Sequence, residues 1–168
     1  ILASIKVPFY ERKGDKNGYL GYQYKHSIRY TFSYSDYVKI GLTGAQDAGE
    51  PFFAGRNSMG YDHYSFYLSL RKMGRIKSLV VGRYKVKMGM GLVINNNIGL
   101  GKLTSLSSLG RQSNYIGGYS SRSDANYLQG AAITVSLPAN MELTAFASYR
   151  EIDATLNKDD GSIATILK

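Results

Sequence analysis

The residues best suited to chemistry are His63 and Ser65, with Asp62 adjacent and Glu50 upstream. Positions i and i+2 share a face of a strand, so a His–Ser pair activated by a carboxylate could attack a lipid ester. The polar face of a strand beside a loop yields the same spacing with no catalytic role. No catalytic residue is therefore assigned, and a lipid-processing enzyme using His63/Ser65 stands as the alternative. Gly99-Leu100-Gly101-Lys102 falls short of a phosphate loop, because Asn96 and Leu103 stand where that motif needs Gly and Ser/Thr. Met88-Gly89-Met90-Gly91-Leu92 reads as close backbone approach at a bulge or strand end. Asn157 to Gly161 has turn chemistry, with weak calcium binding as the other reading. With no Cys and two His, thiolate metal sites are excluded and zinc nearly so. No metal and no cofactor is expected.

The charges are more informative. Lys and Arg total 21 against 12 Asp and Glu, a formal net charge of +9. The acids fall in loops, turns or strand ends, except Glu142. Lys25, Arg29, Lys39, Arg71, Lys77, Arg83, Lys85, Lys87 and Arg150 lie on polar faces of candidate strands. If those strands form a membrane barrel, the cations must face its lumen, because a charge on the lipid face costs ~2–4 kcal/mol near the midplane. Such an interior attracts acidic solutes, unless acids elsewhere or inward-folded loops neutralise it. Nucleic acid is not expected as a partner of these residues, since the bases are spread over several strands without a docking module.

The elements that would carry these residues are strands. The chain has 168 residues, 43% hydrophobic and 20% charged, with 19 Gly, 15 Tyr, 3 Pro and no Trp. Aromatic residues favour strands and glycine disfavours helix. From Leu20 to Ser33 the even positions are aromatic or aliphatic, apart from His26, and the odd ones are polar or cationic. That is the period of a half-exposed strand. A turn at 33–36 leads to Val38, Ile40 and Leu42. Tyr61 to Arg71 alternates Tyr64, Phe66, Leu68 and Leu70 with polar residues and turns at 72–75 into Ile76 to Lys87. There Ile76, Val80, Tyr84 and Val86 are expected opposite Lys77, Arg83, Lys85 and Lys87. Leu128 to Leu137 and Met141 to Arg150 flank a turn at 138–140. Ile1 to Phe9 and Ser162 to Lys168 complete about eight strands.

Connections alternate in length: short at 33–36, 72–75 and 138–140, and long at about 10–18, 47–60, 88–126 and 151–161. Transmembrane β-barrels have this asymmetry. From Tyr22 to Phe32 the chain spans roughly 33 Å at ~3.3 Å per residue, and a ~40° tilt reduces this to about 25 Å, the height of the apolar band. Tyr22, Tyr24, Tyr30, Phe32, Tyr64, Phe66 and Tyr84 are expected on the lipid face or its aromatic girdles. The long 88–126 insertion is expected over the lumen or as an external partner surface. No apolar run reaches the roughly 18 residues of a membrane helix.

Several short stretches carry a resemblance. Gly49-Glu50-Pro51-Phe52, Gly60-Tyr61-Asp62, Val81 through Val93, Gly99-Leu100-Gly101-Lys102, Tyr119-Ser120-Ser121 and Gln129-Gly130-Ala131-Ala132 occur in this order. Together, over about residues 47–137, they resemble the barrel region of a largely uncharacterised family of Gram-negative outer-membrane proteins. That family carries an N-terminal helix-hairpin-helix domain. The resemblance implies a barrel longer than this chain and supplies no catalytic residues. A role in DNA uptake is associated with the family through a domain that these residues do not include.

The expectation is an all-β protein: an antiparallel meander of about eight strands, part or all of a transmembrane β-barrel. Residues 1–168 would be one barrel region, a fragment of a larger barrel or a chain whose leader has been removed, since the first residue is Ile without a signal sequence. The expected place is the outer membrane of a Gram-negative bacterium. The expected role is a passage for solutes or macromolecules, or a scaffold subunit. Its partners would be the lipid bilayer and other outer-membrane or periplasmic proteins. A soluble β-sheet binding module is a further alternative.

Overall fold

A computed structural model describes residues 1–11, 16, 18, 21–53, 60–89, 93–96, 114–122, 126–151, 154–156 and 163–166. Its elements are antiparallel strands. They are β1 (Leu2–Lys6), β2 (Lys25–Tyr34), β3 (Val38–Gln46), β4 (His63–Met73), β5 (Ile76–Met88), β6 (Ile94–Asn95), β7 (Tyr115–Gly118), β8 (Leu128–Ser136), β9 (Glu142–Ser148), β10 (Ala154–Leu156) and β11 (Ile163–Ile166). Nine strands form one sheet in the order β1-β2-β3-β4-β5-β8-β9, with β6 and β7 both pairing with β5. β10 and β11 pair separately. The sheet is not closed: among the described residues no ladder joins β1 to β9. No described helix is long and apolar enough to cross a membrane, which says nothing of crossing by strands.

The fold is all-β and antiparallel as expected, with more strands than the eight read from alternation. β6, β7 and β10 have two to four residues each, too short to show a period. β2 begins at Lys25 rather than Leu20. Tyr22 and Tyr24 lie just before it, stacked at 5.0 Å, and Leu20 lies outside the described residues, as do Gly99 to Lys102 and Asn157 to Gly161.

Each short turn contains left-handed backbone: Ser35 (φ 49°), Lys72 and Gly74 (φ 57° and 62°), and Ala139 and Asn140 (φ 61° and 56°). Such dihedrals match a hairpin to the twist of its strands, so β2–β3, β4–β5 and β8–β9 are joined directly.

The ladders give each strand one face. Phe32, Ile40, Leu68, Val81, Ala131 and Ala147 form one row across β2, β3, β4, β5, β8 and β9. The neighbouring row on the opposite face is Ser33, Lys39, Ser69, Val80, Ala132 and Phe146. The polar face is the one that is covered. Ser27, Thr43, Ser65, Ser69 and Thr134 are buried on it, whereas Ile28, Tyr30, Phe32, Leu42, Tyr64 and Phe66 are exposed on the other. This inverts the arrangement of an ordinary sheet in water.

A small apolar core of Val80, Tyr84, Val86, Ile116 and Ala132 lies on the covered face, with Met88, Ile94 and Leu128 against it. Tyr84, expected to face lipid, is fully buried there, and its hydroxyl donates to the Ala147 carbonyl at 2.7 Å. The cause is the register of β5: Val80 stands opposite Ser69 and Ala132. Its apolar alternation thus continues the covered face, and Leu79 and Val81 supply the bare one.

Candidate functional site

The covered face owes its burial to the segment 114–122. β7 pairs with the far end of β5, from Tyr84 opposite Gly118 to Lys87 opposite Tyr115. Pairing of β4 with β5 ends at Tyr67 opposite Gly82. Gly82 has φ 100°, and a Cβ there would overlap the Phe66 carbonyl, so this position is open to glycine alone. β5 turns here over its own sheet, and Lys77 near its start and Met88 at its end line one cavity.

From β7 the chain crosses strand after strand. Arg71 of β4 donates to the Ile116 carbonyl at 3.5 Å, and Gly118 lies against the ring of Tyr67. The Ser120 hydroxyl bonds that of Thr43 on β3, and Ser65 donates to the Ser121 carbonyl at 3.4 Å. Arg122 donates to both Ser27 on β2 and Ser4 on β1 at 3.3 Å. Hydroxyls that would be costly to bury unpaired instead anchor a strap from β5 to β1. Residues 114–122 of the 88–126 insertion thus lie over the polar face.

His63 and Ser65 share that face but do not meet as nucleophile and base. The Ser65 hydroxyl turns to the Ser121 carbonyl. Nε2 of His63 lies 3.1 Å from the same carbonyl and 3.2 Å from Nη1 of Arg83. A guanidinium only donates and a carbonyl only accepts, so the two contacts exclude each other: a protonated Nε2 donates to the strap carbonyl, and an unprotonated one accepts from Arg83 instead. Among the described residues, no cluster of three or more His, Cys, Asp or Glu could hold a metal.

The nine cations divide into two groups. Lys25, Arg29, Lys39 and Arg71 take covered-face positions in register with Ser27, Thr43 and Ser69, and Lys25 pairs with Asp47. Those of β5 do not continue that row, contrary to expectation, because the row passes through Val80. Lys77, at a register shift between Ile76 and Ser78, pairs with Glu142. Lys87 stands in the ladder beside Asn95 and Tyr115. Arg83 and Arg150 lie over the Tyr127 ring at 4.3 and 4.5 Å, and Lys85 lies over Tyr119 at 4.3 Å. The two tyrosines stack at 6.1 Å. Cation–ring contacts are worth about 0.5–1 kcal/mol when exposed and more when dry. Sequence reasoning missed this ladder, because its members come from β5, the strap and the flanks of β8 and β9.

On the bare face a second aromatic array surrounds His26, whose ring meets Phe52 at 4.8 Å and Tyr61 at 5.3 Å. Tyr22 and Tyr24 extend it on one side and Tyr64 on the other. Tyr30, Phe32 and Tyr34 mark the opposite end of β2, beside the short turn. Between these bands the bare-face rows of β1 to β4, β8 and β9 contain no Asp, Glu, Lys or Arg, whereas on β5 Arg83 follows Leu79 and Val81 and lines a shallow pocket with Tyr64 and Phe66.

Against known proteins, no family model, no curated protein and no solved structure matches the chain.

Proposed function

We propose that this chain forms part of the wall of a β-barrel in the outer membrane of a Gram-negative bacterium, with the bare face toward lipid and the covered face toward the lumen. The 114–122 strap would narrow that lumen, and the protein would serve as a passage for small polar solutes. The observation carrying this reading is the inverted burial: on β2, β3 and β4 uncharged apolar rows are exposed, while hydroxyls and the cations Lys25, Arg29, Lys39 and Arg71 take the covered face. Burying a large apolar side chain is worth about 1.5–3 kcal/mol, a gain that water leaves unrealised for Leu42, Phe66 and Phe32 and that a bilayer supplies. The aromatic bands at the two ends of β2 fit the girdles of such a wall. The resemblance to outer-membrane barrels points the same way.

The test is cell fractionation followed by extraction. Recovery of the full-length protein in the outer membrane, released by detergent and resistant to salt and alkaline washing, is the expected result. Release by a salt wash would overturn the reading. It would favour a soluble sheet module whose bare face docks on another protein, the alternative that the open β1 and β9 edges support.

A further inference from the structure

We propose that the cavity between the root of the strap and the β8–β9 turn binds a neutral polyol of saccharide type. As the cargo of the passage this rests on the membrane reading; as a binding site it does not.

The cavity measures about 540 Å³, within the ~300–1,000 Å³ usual for ligand sites. Its wall on β5, β8 and β9 presents the hydroxyls of Ser78, Thr134 and Thr144, and Asn114 adds a carboxamide from the strap side. The Thr134 and Thr144 hydroxyls are hydrogen-bonded to each other at 3.1 Å, which leaves one O–H to donate and lone pairs on both oxygens to accept from one ligand group. Hydroxyls and amides each donate and accept, which is what a ligand made of hydroxyl groups requires. Met88 and Ile116 supply an apolar patch on the same cavity, suited to the C–H face of a sugar ring.

Charge decides against the other small solutes. Lys77 and Glu142, the ionised side chains among the described lining, pair with each other. An anion therefore meets a lysine already neutralised and a carboxylate that repels it. A zwitterion would have to break the pair to use either half. A neutral polyol needs neither.

The experiment is isothermal titration of the detergent-solubilised full chain with three probes: sucrose, glycine and inorganic phosphate. Sucrose is expected to bind saturably, and the isosteric double variant Thr134→Val/Thr144→Val to weaken it by about tenfold or more. Ser33→Ala, in the covered-face row but outside the cavity lining, should leave it unchanged. If the double variant loses its β-sheet circular dichroism, Asn114→Ala supplies the same comparison. Saturation by phosphate or glycine in place of sucrose overturns the proposal. So does saturation by no probe, or unaltered sucrose binding in the folded variants. Sucrose binding by a protein released in a salt wash would reject the membrane reading alone; an outer-membrane protein that ignores sucrose would reject the cavity alone.

Discussion

The Tyr67 ring lies over the α-carbon of Gly41, its direct partner across the β3–β4 ladder, and also against Gly118 of the strap. A Cβ at either glycine would overlap the edge of the ring. One aromatic side chain thus covers two glycines and holds the strap to the sheet. Gly41→Val is expected to destabilise the protein by about 1–3 kcal/mol through overpacking. Combining it with Tyr67→Ala should cost less than the sum of the two single changes. Denaturant midpoints of the singles and the double measure this, and strict additivity would show that the ring and the glycine do not depend on each other.

The two faces of the sheet should respond oppositely to charge. Leu42→Arg on the bare face is expected to cost ~2–4 kcal/mol in a bilayer, whereas Thr31→Arg on the covered face should fold and insert normally. Reversible folding into vesicles provides the measurement. Equal tolerance of both arginines would mean that the bare face meets water.

Gly82→Ala is expected to disrupt the turn of β5, since φ 100° is strained for any side chain and the new methyl would overlap the Phe66 carbonyl. The strap follows from the far half of β5, so its protection should fall too. Limited proteolysis between residues 114 and 122 should become faster in the variant. Unchanged cleavage would show that the strap is held without this turn.

Glu50 is held above its ordinary value of 4.5, first by burial and then by the neighbouring Asp62 carboxylate. A raised folded value means that the native state binds the proton more tightly. The favourable contribution is therefore complete below the unfolded value and lost as pH rises through the folded one. Glu50→Gln should raise the melting temperature at neutral pH and have little effect near pH 4. A variant less stable at neutral pH would contradict the assignment.

Asp36 behaves with the opposite sign. A hydrogen bond and charge attraction from Lys72, 3.2 Å away, hold its carboxyl below the usual value. Its contribution is present above the unfolded value and disappears as pH falls through the folded one. The pair joins the β2–β3 turn to the β4–β5 turn at the surface, where salt screens it. Asp36→Asn should lower the melting temperature slightly in low salt, with the difference closing in high salt. A difference that persists in high salt would mean that something other than charge links the turns.

Much of the sheet was legible because alternation with period 2 is a local property. β2, β3, β4, β8 and β9 were all found from it, with their polar and apolar faces correctly separated. β5 was misread because both of its faces contain apolar residues, Leu79 and Val81 on one and Val80, Tyr84 and Val86 on the other. Only the pairing of Val80 with Ser69 and Ala132 decides which is which. The strap's course was equally illegible. Ser120, Ser121 and Arg122 are ordinary loop residues until Thr43, Ser65 and Ser27, distant in sequence, turn out to be their partners.

By itself the sequence determined an antiparallel all-β chain, its short hairpin turns and the sorting of charge away from the apolar rows, since each depends on residues near one another in the chain. Tertiary structure alone decided which face is covered, where Tyr84 goes, and that cations from β5 and beyond β9 meet on Tyr127 and Tyr119. Those outcomes depend on how an inserted segment packs over a finished sheet, and no spacing along the chain encodes that contact.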